Sequence, residues 1–219
     1  MPSMSLSCPL CGEMHILPFH RDSRRDYWRC QTCELVFVER GQHLSSADEK
    51  AVYDNHENSP EDVDYRRFLS RLFTPLNERL VPGARGLDFG CGPGPTLSVM
   101  FEEAGHIMAL YDVYYAPDPQ VLEDSYDFIT ASEVIEHLAE PGQVITRLAS
   151  RLVPGGWLGL MTKRVQSREA FAGWHYILDP THVSFFNEAT FEWLASHLGM
   201  QVEFPAADVV LLHKPCSRT

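Results

Sequence analysis

At 219 residues the chain is long enough for one full domain plus a small appendage, and with 44% hydrophobic and 11% aromatic residues it can bury a substantial core, which excludes global disorder. The net charge of −12 is carried entirely by the residues after His43, a field that repels a phosphate backbone and makes nucleic acid an unfavoured partner. No apolar stretch approaches the roughly 20 residues needed to span a bilayer, and no basic region followed by an apolar run opens the chain, so a cytoplasmic protein with no membrane contact is expected.

Residues 1–43 carry two C-x-x-C pairs, Cys8/Cys11 and Cys30/Cys33, separated by eighteen residues. This is two-knuckle spacing, in which the intervening loop lets four thiolates converge tetrahedrally on zinc. A segment this short has too little core to hold itself, and a bound zinc supplies on the order of 10 kcal/mol of folding energy. Four thiolates fill the shell, so the metal is structural. Leu35 to Val38 reads as a short strand completing this zinc ribbon, and Arg21, Arg24, Arg25 and Arg29 read as a solvated loop rather than a basic patch. Cys91 and Cys216 remain outside the pattern, neither as a nucleophile.

Residues 44–84 form a polar, acidic join that reads as a helical linker and substrate cap. Ser46-x-x-Glu49 offers a capping box for a short helix, and a longer helix is expected from about Pro60 to Leu80. His56 in this join is a candidate substrate contact.

From Arg85 onward, residues 85–219, strands and helices alternate, which implies a mainly parallel sheet with helices on both faces. Strands are expected at Arg85 to Phe89, Ile107 to Tyr111, Tyr126 to Ala131, Trp157 to Thr162, Gln201 to Phe204 and Val209 to Leu212. Helices are expected after Pro95, from Gly142 to Leu152, and after an Asn187 cap, with Pro154-Gly155-Gly156 as a turn. The first of these strands runs into Leu87-Asp88-Phe89-Gly90-Cys91-Gly92-Pro93-Gly94, a junction built for close approach of backbone to a ligand. A dinucleotide-binding turn is the first alternative, but Pro95 breaks its spacing and Asp88 would set a negative charge beside a phosphate. A cationic ligand suits that carboxylate better; a tight turn with no ligand is the second alternative. Asp112 ends the next strand, where an acid can bind both ribose hydroxyls, and Ser132-Glu133-Val134-Ile135-Glu136-His137-Leu138 closes the strand after that.

This trio of strand ends resembles the class I S-adenosylmethionine-dependent methyltransferases, over residues 85 to 213. Within them, the zinc ribbon, the Glu-x-x-Glu-His-Leu segment and the later Asp-Pro-Thr-His-Val-Ser-Phe-Phe are similar to a bacterial group with N-terminal C-x-x-C pairs. The resemblance implies a Rossmann-like α/β sheet of seven strands, the last antiparallel. It places Asp88, Gly90, Gly92 and Gly94 on the methionine portion of S-adenosylmethionine, Asp112 on the ribose, and Ser132, Glu133 and Val134 among the remaining cofactor contacts. One departure stands out: thirteen residues between Asp112 and Tyr126, two of them prolines, replace a helix and the third strand. That edge is expected to be absent or reduced to a loop, with Tyr114 or Tyr115 as a possible platform for the adenine.

Methyl transfer from a sulfonium is an in-line displacement in which alignment and exclusion of water do most of the work. A base is needed only when the acceptor must lose a proton. The segment Trp174 to His182 follows a strand whose end should overhang the methyl group, which makes His182 the first candidate for base or substrate contact and His175 the second. A second zinc site from His175, Asp179 and His182 is disfavoured by Pro180 between them. The chain lacks both the Asn/Asp-Pro-Pro-aromatic segment that aligns a base amine and the Pro-Cys that attacks pyrimidine carbon. The expected activity is therefore methyl transfer to a small-molecule or protein acceptor. Alternatives are a non-catalytic cofactor-binding protein docking through its ribbon, and an RNA methyltransferase.

Overall fold

The computed structural model describes residues 6–55 and 58–216. Strands β1 (Ile16–Arg21) and β2 (Asp26–Cys30) form an antiparallel hairpin, and β3 (Val36–Val38) pairs with β2. Asp22 closes the hairpin by accepting from the backbone N–H groups of Arg24 and Arg25 at 2.6 and 2.7 Å, the Asx turn its short side chain favours. The sheet then gains a fourth strand from far along the chain: Ser184–Phe185, named β8 in chain order, pairs antiparallel with β3, Val36 opposite Phe185.

In the join, α1 spans Ser46–Tyr53 and α2 spans Val63–Asn77. The cap of α1 is Ser45, one residue before the expected capping box, because its hydroxyl is the one that reaches the Asp48 N–H. Helix α2 starts later than Pro60 because Asp62, with extended backbone, accepts from the N–H groups of Asp64 and Tyr65 and caps the helix there.

The central sheet has the order β5-β4-β6-β7-β10-β9. Its strands are β4 (Arg85–Phe89), β5 (Ile107–Tyr111), β6 (Tyr126–Ser132), β7 (Leu152–Met161), β9 (Gln201–Ala206) and β10 (Val209–His213). Strands β4 to β7 run parallel, while β10 lies antiparallel to both β7 and β9. This is the class I methyltransferase sheet without its third strand. Among the described residues nothing continues the sheet past β5; residues 113–125 hold only a bridge from Asp112 to Ala116 and a 3-10 turn at Pro119–Leu122. Six strands therefore replace the seven implied by the resemblance. Strand β7 begins five residues earlier than expected: Pro154-Gly155-Gly156 is absorbed as an irregularity, with Tyr126 opposite Leu152 but Phe128 already opposite Trp157.

Alternate residues of the strands feed two apolar layers, as the two-residue period of a strand requires. On one face Phe128, Met161, Val209 and Leu211 pack against Leu69 and Leu72 of α2 and Leu97 and Phe101 of α3 (Thr96–Glu103). On the other, Ile129, Leu158, Leu160, Val210 and Leu212 meet Ile145 and Leu148 of α4 (Pro141–Arg151) and Phe191 and Leu194 of α6 (Glu188–Leu198). That second layer is continuous with Cys8, Leu10, Cys33 and Leu35 of the ribbon. The ribbon is thus seated on the sheet's helical layer. Its first knuckle approaches α4 so closely that a β-carbon on Gly142 would collide with the Leu10 carbonyl.

Candidate active site

The chain leaves β4 for β5 on one side and returns to β6 on the other, so the carboxyl ends of β4 and β6 open a crevice at the point where strand order reverses. Asp88 sits at the floor of this crevice, 4% exposed, its two oxygens accepting from Thr130 Oγ1 and Ser98 Oγ, each at 2.9 Å. Burial outweighs these two hydrogen bonds and pushes the carboxyl up to about 6. The neutral acid is favoured in the fold, so this group's contribution to stability is present at low pH and lost as pH rises through about 6. Relative to wild type, Asp88→Asn should therefore gain up to about 3 kcal/mol between pH 4 and pH 7, at 1.36 kcal/mol per pKa unit. Denaturant unfolding of the ligand-free proteins at several pH values measures it, and a difference that stays constant with pH would show that Asp88 is not strained by burial.

The glycine turn follows. Gly90 and Gly92 have φ of +76° and +64°, and the Gly90 N–H donates to the Tyr111 carbonyl at 2.7 Å. Asp112, at the end of β5, ties this turn to the next loop: Oδ2 accepts from the Gly92 N–H at 3.0 Å, and Oδ1 from the Tyr114 and Tyr115 N–H groups at 2.8 and 3.1 Å. Three of the expected cofactor residues thus share one junction. Gly94 differs, since the backbone of Asn58 takes the room a β-carbon there would fill. The tyrosine hydroxyls hold α1 over the end of β5, Tyr115 donating to Asp54 at 2.7 Å and Tyr114 lying 3.3 Å from Glu49.

At the end of β6, Ser132, Glu133 and Val134 turn the chain. Glu133 adopts φ +52°, a left-handed conformation costly for a residue with a side chain, held by its N–H donating to the Met161 carbonyl at 2.8 Å. Burial pushes the Glu133 carboxyl up to about 7 against the opposing pull of Lys163, and Glu136, wholly buried, is pushed up to about 8. Tyr176 links the two acids: its hydroxyl bonds Glu136 and stands 3.4 Å from Glu133.

His182 lies on the loop after α5 (Arg168–Ala172), 7% exposed, with Nδ1 2.8 Å from the Tyr176 carbonyl oxygen and its ring centre 4.1 Å from the Tyr176 ring and 4.6 Å from that of His137. Desolvation lowers its pKa against the opposing pull of Asp179. His175 is exposed, its Nε2 2.8 Å from Lys163 Nζ, which in turn lies 5.5 Å from the centre of the Tyr176 ring. His56 lies outside the described residues.

The ribbon arginines correct the sequence reading. Arg25 is buried, and its guanidinium donates to the carbonyls of Ile177, Asp179, Pro180 and His182 at 2.7 to 3.0 Å, while Arg24 reaches Leu178. One ribbon side chain thereby sets the path of the loop that carries His182. Nothing in the local sequence signals this, because the partners are backbone carbonyls over 150 residues away. Glu136 and Tyr176 were likewise without an assigned role; the Glu-x-x-Glu spacing at a strand end was the available signal for the acid.

In the ribbon, the Sγ atoms of Cys8, Cys11, Cys30 and Cys33 all lie within 4.8 Å of one another, with Cys8–Cys33 at 3.4 Å and Cys11–Cys30 at 3.5 Å. Tetrahedral zinc with bonds of about 2.3 Å requires sulfur separations of about 3.8 Å, so the thiols fit the ion. The two knuckles match in backbone as well. The Gly12 N–H donates to the Cys8 carbonyl and the Glu34 N–H to that of Cys30, with both donors at positive φ. The four cysteines would hold a structural zinc.

Comparison with known proteins accords with this geometry. A family model described as Methyltransferase domain matches residues 60–203. The chain belongs to this family. The ubiquinone biosynthesis O-methyltransferase of Hydrogenovibrio crunogenus is 26% identical over 35% of this chain and 41% of that protein, so the match spans about two fifths of the curated relative. Two solved structures share the fold. The Burkholderia thailandensis 1,6-didemethyltoxoflavin-N1-methyltransferase, solved with its acceptor and S-adenosylhomocysteine, is 16% identical, with a TM-score of 0.51 over 90% of this chain and 99% of that one. The magnesium protoporphyrin IX methyltransferase of Synechocystis PCC 6803, with bound S-adenosylhomocysteine, is 15% identical, with a TM-score of 0.55 over 77% of this chain and 94% of that one. Among the described residues no helix is long and apolar enough to cross a membrane.

Proposed function

We propose that this protein transfers a methyl group from S-adenosylmethionine to a small-molecule acceptor. The observation that carries the proposal is the junction at the ends of β4, β5 and β6, where the glycine turn, Asp112 and a buried acid converge. Asp88, Gly90, Gly92 and Gly94 serve the methionine portion of the cofactor, Asp112 the ribose hydroxyls, and Ser132, Glu133 and Val134 the remaining contacts. The anionic floor suits a ligand carrying an ammonium and a sulfonium. His182 serves the acceptor, with His175 as a peripheral contact at the rim.

A small acceptor is favoured over nucleic acid by the charge of −12 and by the solved neighbours of like fold, both named for small-molecule acceptors. The ribbon's packing into the sheet's helical layer argues against a free docking module. A thiol cluster gathered for metal suits a reducing compartment, so the cytoplasm is the location we assign.

Calorimetric titration with S-adenosylhomocysteine tests the cofactor assignment. The wild type should bind, and Asp112→Ala should weaken binding at least about tenfold, because a charge-assisted contact to two hydroxyls is lost. The carboxylate also braces the glycine turn, so Asp112→Asn, which keeps the acceptor oxygen facing Gly92, should fall between the two. Unchanged affinity in both variants would remove Asp112 from the ribose site. Transfer of labelled methyl from the donor to a fraction of cell extract tests the activity itself, and identifies the acceptor's chemical class.

A further inference from the structure

Glu136 and His137 at the end of β6 and His182 on the overhanging loop each offer one ligand atom within 4.8 Å of the other two. This trio is separate from the ribbon cysteines and shares only His182 with the His175–Asp179–His182 set that the spacing disfavoured. Two imidazoles and a carboxylate are the donor set of a divalent first-row transition ion with positions left open for an exogenous ligand.

Two further observations point to an ion. The Tyr176 carbonyl facing His182 Nδ1 is an acceptor only, so Nδ1 carries the proton and Nε2 presents its lone pair, the arrangement by which outer groups orient a metal-binding histidine. Asp179 makes no hydrogen bond to Nε2: its Oδ2 stands 3.8 Å away, and its other oxygen accepts from Thr181. Glu136, for its part, is completely buried; one oxygen takes the Tyr176 hydroxyl, while Oε2 has no hydrogen-bond partner among the described residues. A second acid, the partly buried Glu133, adjoins it through the same hydroxyl. A buried acid oxygen with no hydrogen-bond partner is accommodated when a cation takes the place of the proton.

We propose that Glu136, His137 and His182 hold one divalent transition-metal ion beside the proposed cofactor crevice, and that its open positions bind an acceptor hydroxyl. This deepens the methyl-transfer reading and rests on it for the identity of the second ligand. A hydroxyl on the ion loses its proton to bulk water near neutral pH. The oxygen then attacks the sulfonium methyl, a C–O bond forms, and the electron pair of the broken C–S bond leaves with the thioether sulfur. The acceptor class is accordingly an alcohol or phenol.

The test is a titration of the zinc-loaded full chain with Mn2+, reading free Mn2+ by electron paramagnetic resonance. Manganese, at the weak end of the affinity series, does not displace zinc from four thiolates. About one Mn2+ per chain should bind saturably, and Glu136→Gln and His182→Gln should each weaken it at least about tenfold while S-adenosylhomocysteine affinity stays within threefold. His137→Gln, a change at a less buried ligand, decides the matter if Glu136→Gln does not fold. Absence of saturable Mn2+ binding, or equal affinity in the folded variants, overturns the site. The two readings fail separately: Mn2+ binding without S-adenosylhomocysteine binding would sink the methyltransferase reading and leave the ion site, and the reverse would sink the ion site alone.

Discussion

Removal of metal from Cys8, Cys11, Cys30 and Cys33, by a strong chelator or by Cys33→Ser, is expected to unfold the whole chain in one transition rather than the first 43 residues alone. Zinc on four thiolates supplies on the order of 10 kcal/mol, comparable with the entire stability of a typical domain. What spreads the loss is packing. Cys8, Leu10, Cys33 and Leu35 belong to the same apolar layer as Ile129, Leu160 and Phe191, β8 completes the ribbon sheet, and Arg25 holds four carbonyls of the 177–182 loop. A freed ribbon would expose that layer, take the paired strand from β8 and remove the Arg25 anchor from the loop. Near-ultraviolet circular dichroism during thermal unfolding should show a single melt, displaced far downward in the chelated protein. Two separate transitions, with the larger one unmoved, would mean that the ribbon is an independent appendage.

The second large effect concerns His182. Its replacement by alanine should lower turnover by roughly 10²–10⁴-fold while leaving S-adenosylmethionine affinity nearly intact. The residues proposed to hold the cofactor lie at the ends of β4, β5 and β6 and on the turns that follow, whereas His182 comes from the loop after α5 and packs against Tyr176 and His137. Single-turnover kinetics beside calorimetric cofactor binding separates the outcomes. Equal losses in turnover and cofactor affinity would place His182 in the cofactor pocket. No loss in either would reduce it to loop packing, and the ion site would fall with it.

Much of the fold was legible because its determinants are local. The Asn187 capping box and Gly199 at φ +65° bound α6 where the sequence indicates, and strands β4, β5, β9 and β10 begin where their apolar patterns do. Cysteine spacing indicates the knuckles because two residues between thiols suffice to turn them onto one ion. The gap of thirteen residues after Asp112 is too short for a helix and a strand whatever the fold does with it, so the missing edge could be foreseen.

What the chain order could not express was decided by distant packing. Strand β8 is two residues long and carries no periodic signal; it is a strand because β3 offers it an edge. Arg25 reads as a solvated charge until the 177–182 loop folds back and turns its carbonyls inward. The same holds at the site. Glu136 and His137 are adjacent, but His182 joins them only when that loop, steered by Arg25, lies over the end of β6. Sequence alone determined the strands of the sheet, the glycine turn proposed to hold the cofactor and the converging thiols, each written within a few residues or a fixed spacing. Tertiary structure alone decided which buried acid faces which histidine, because ligand distance depends on how two elements some 45 residues apart pack, and no local preference encodes that.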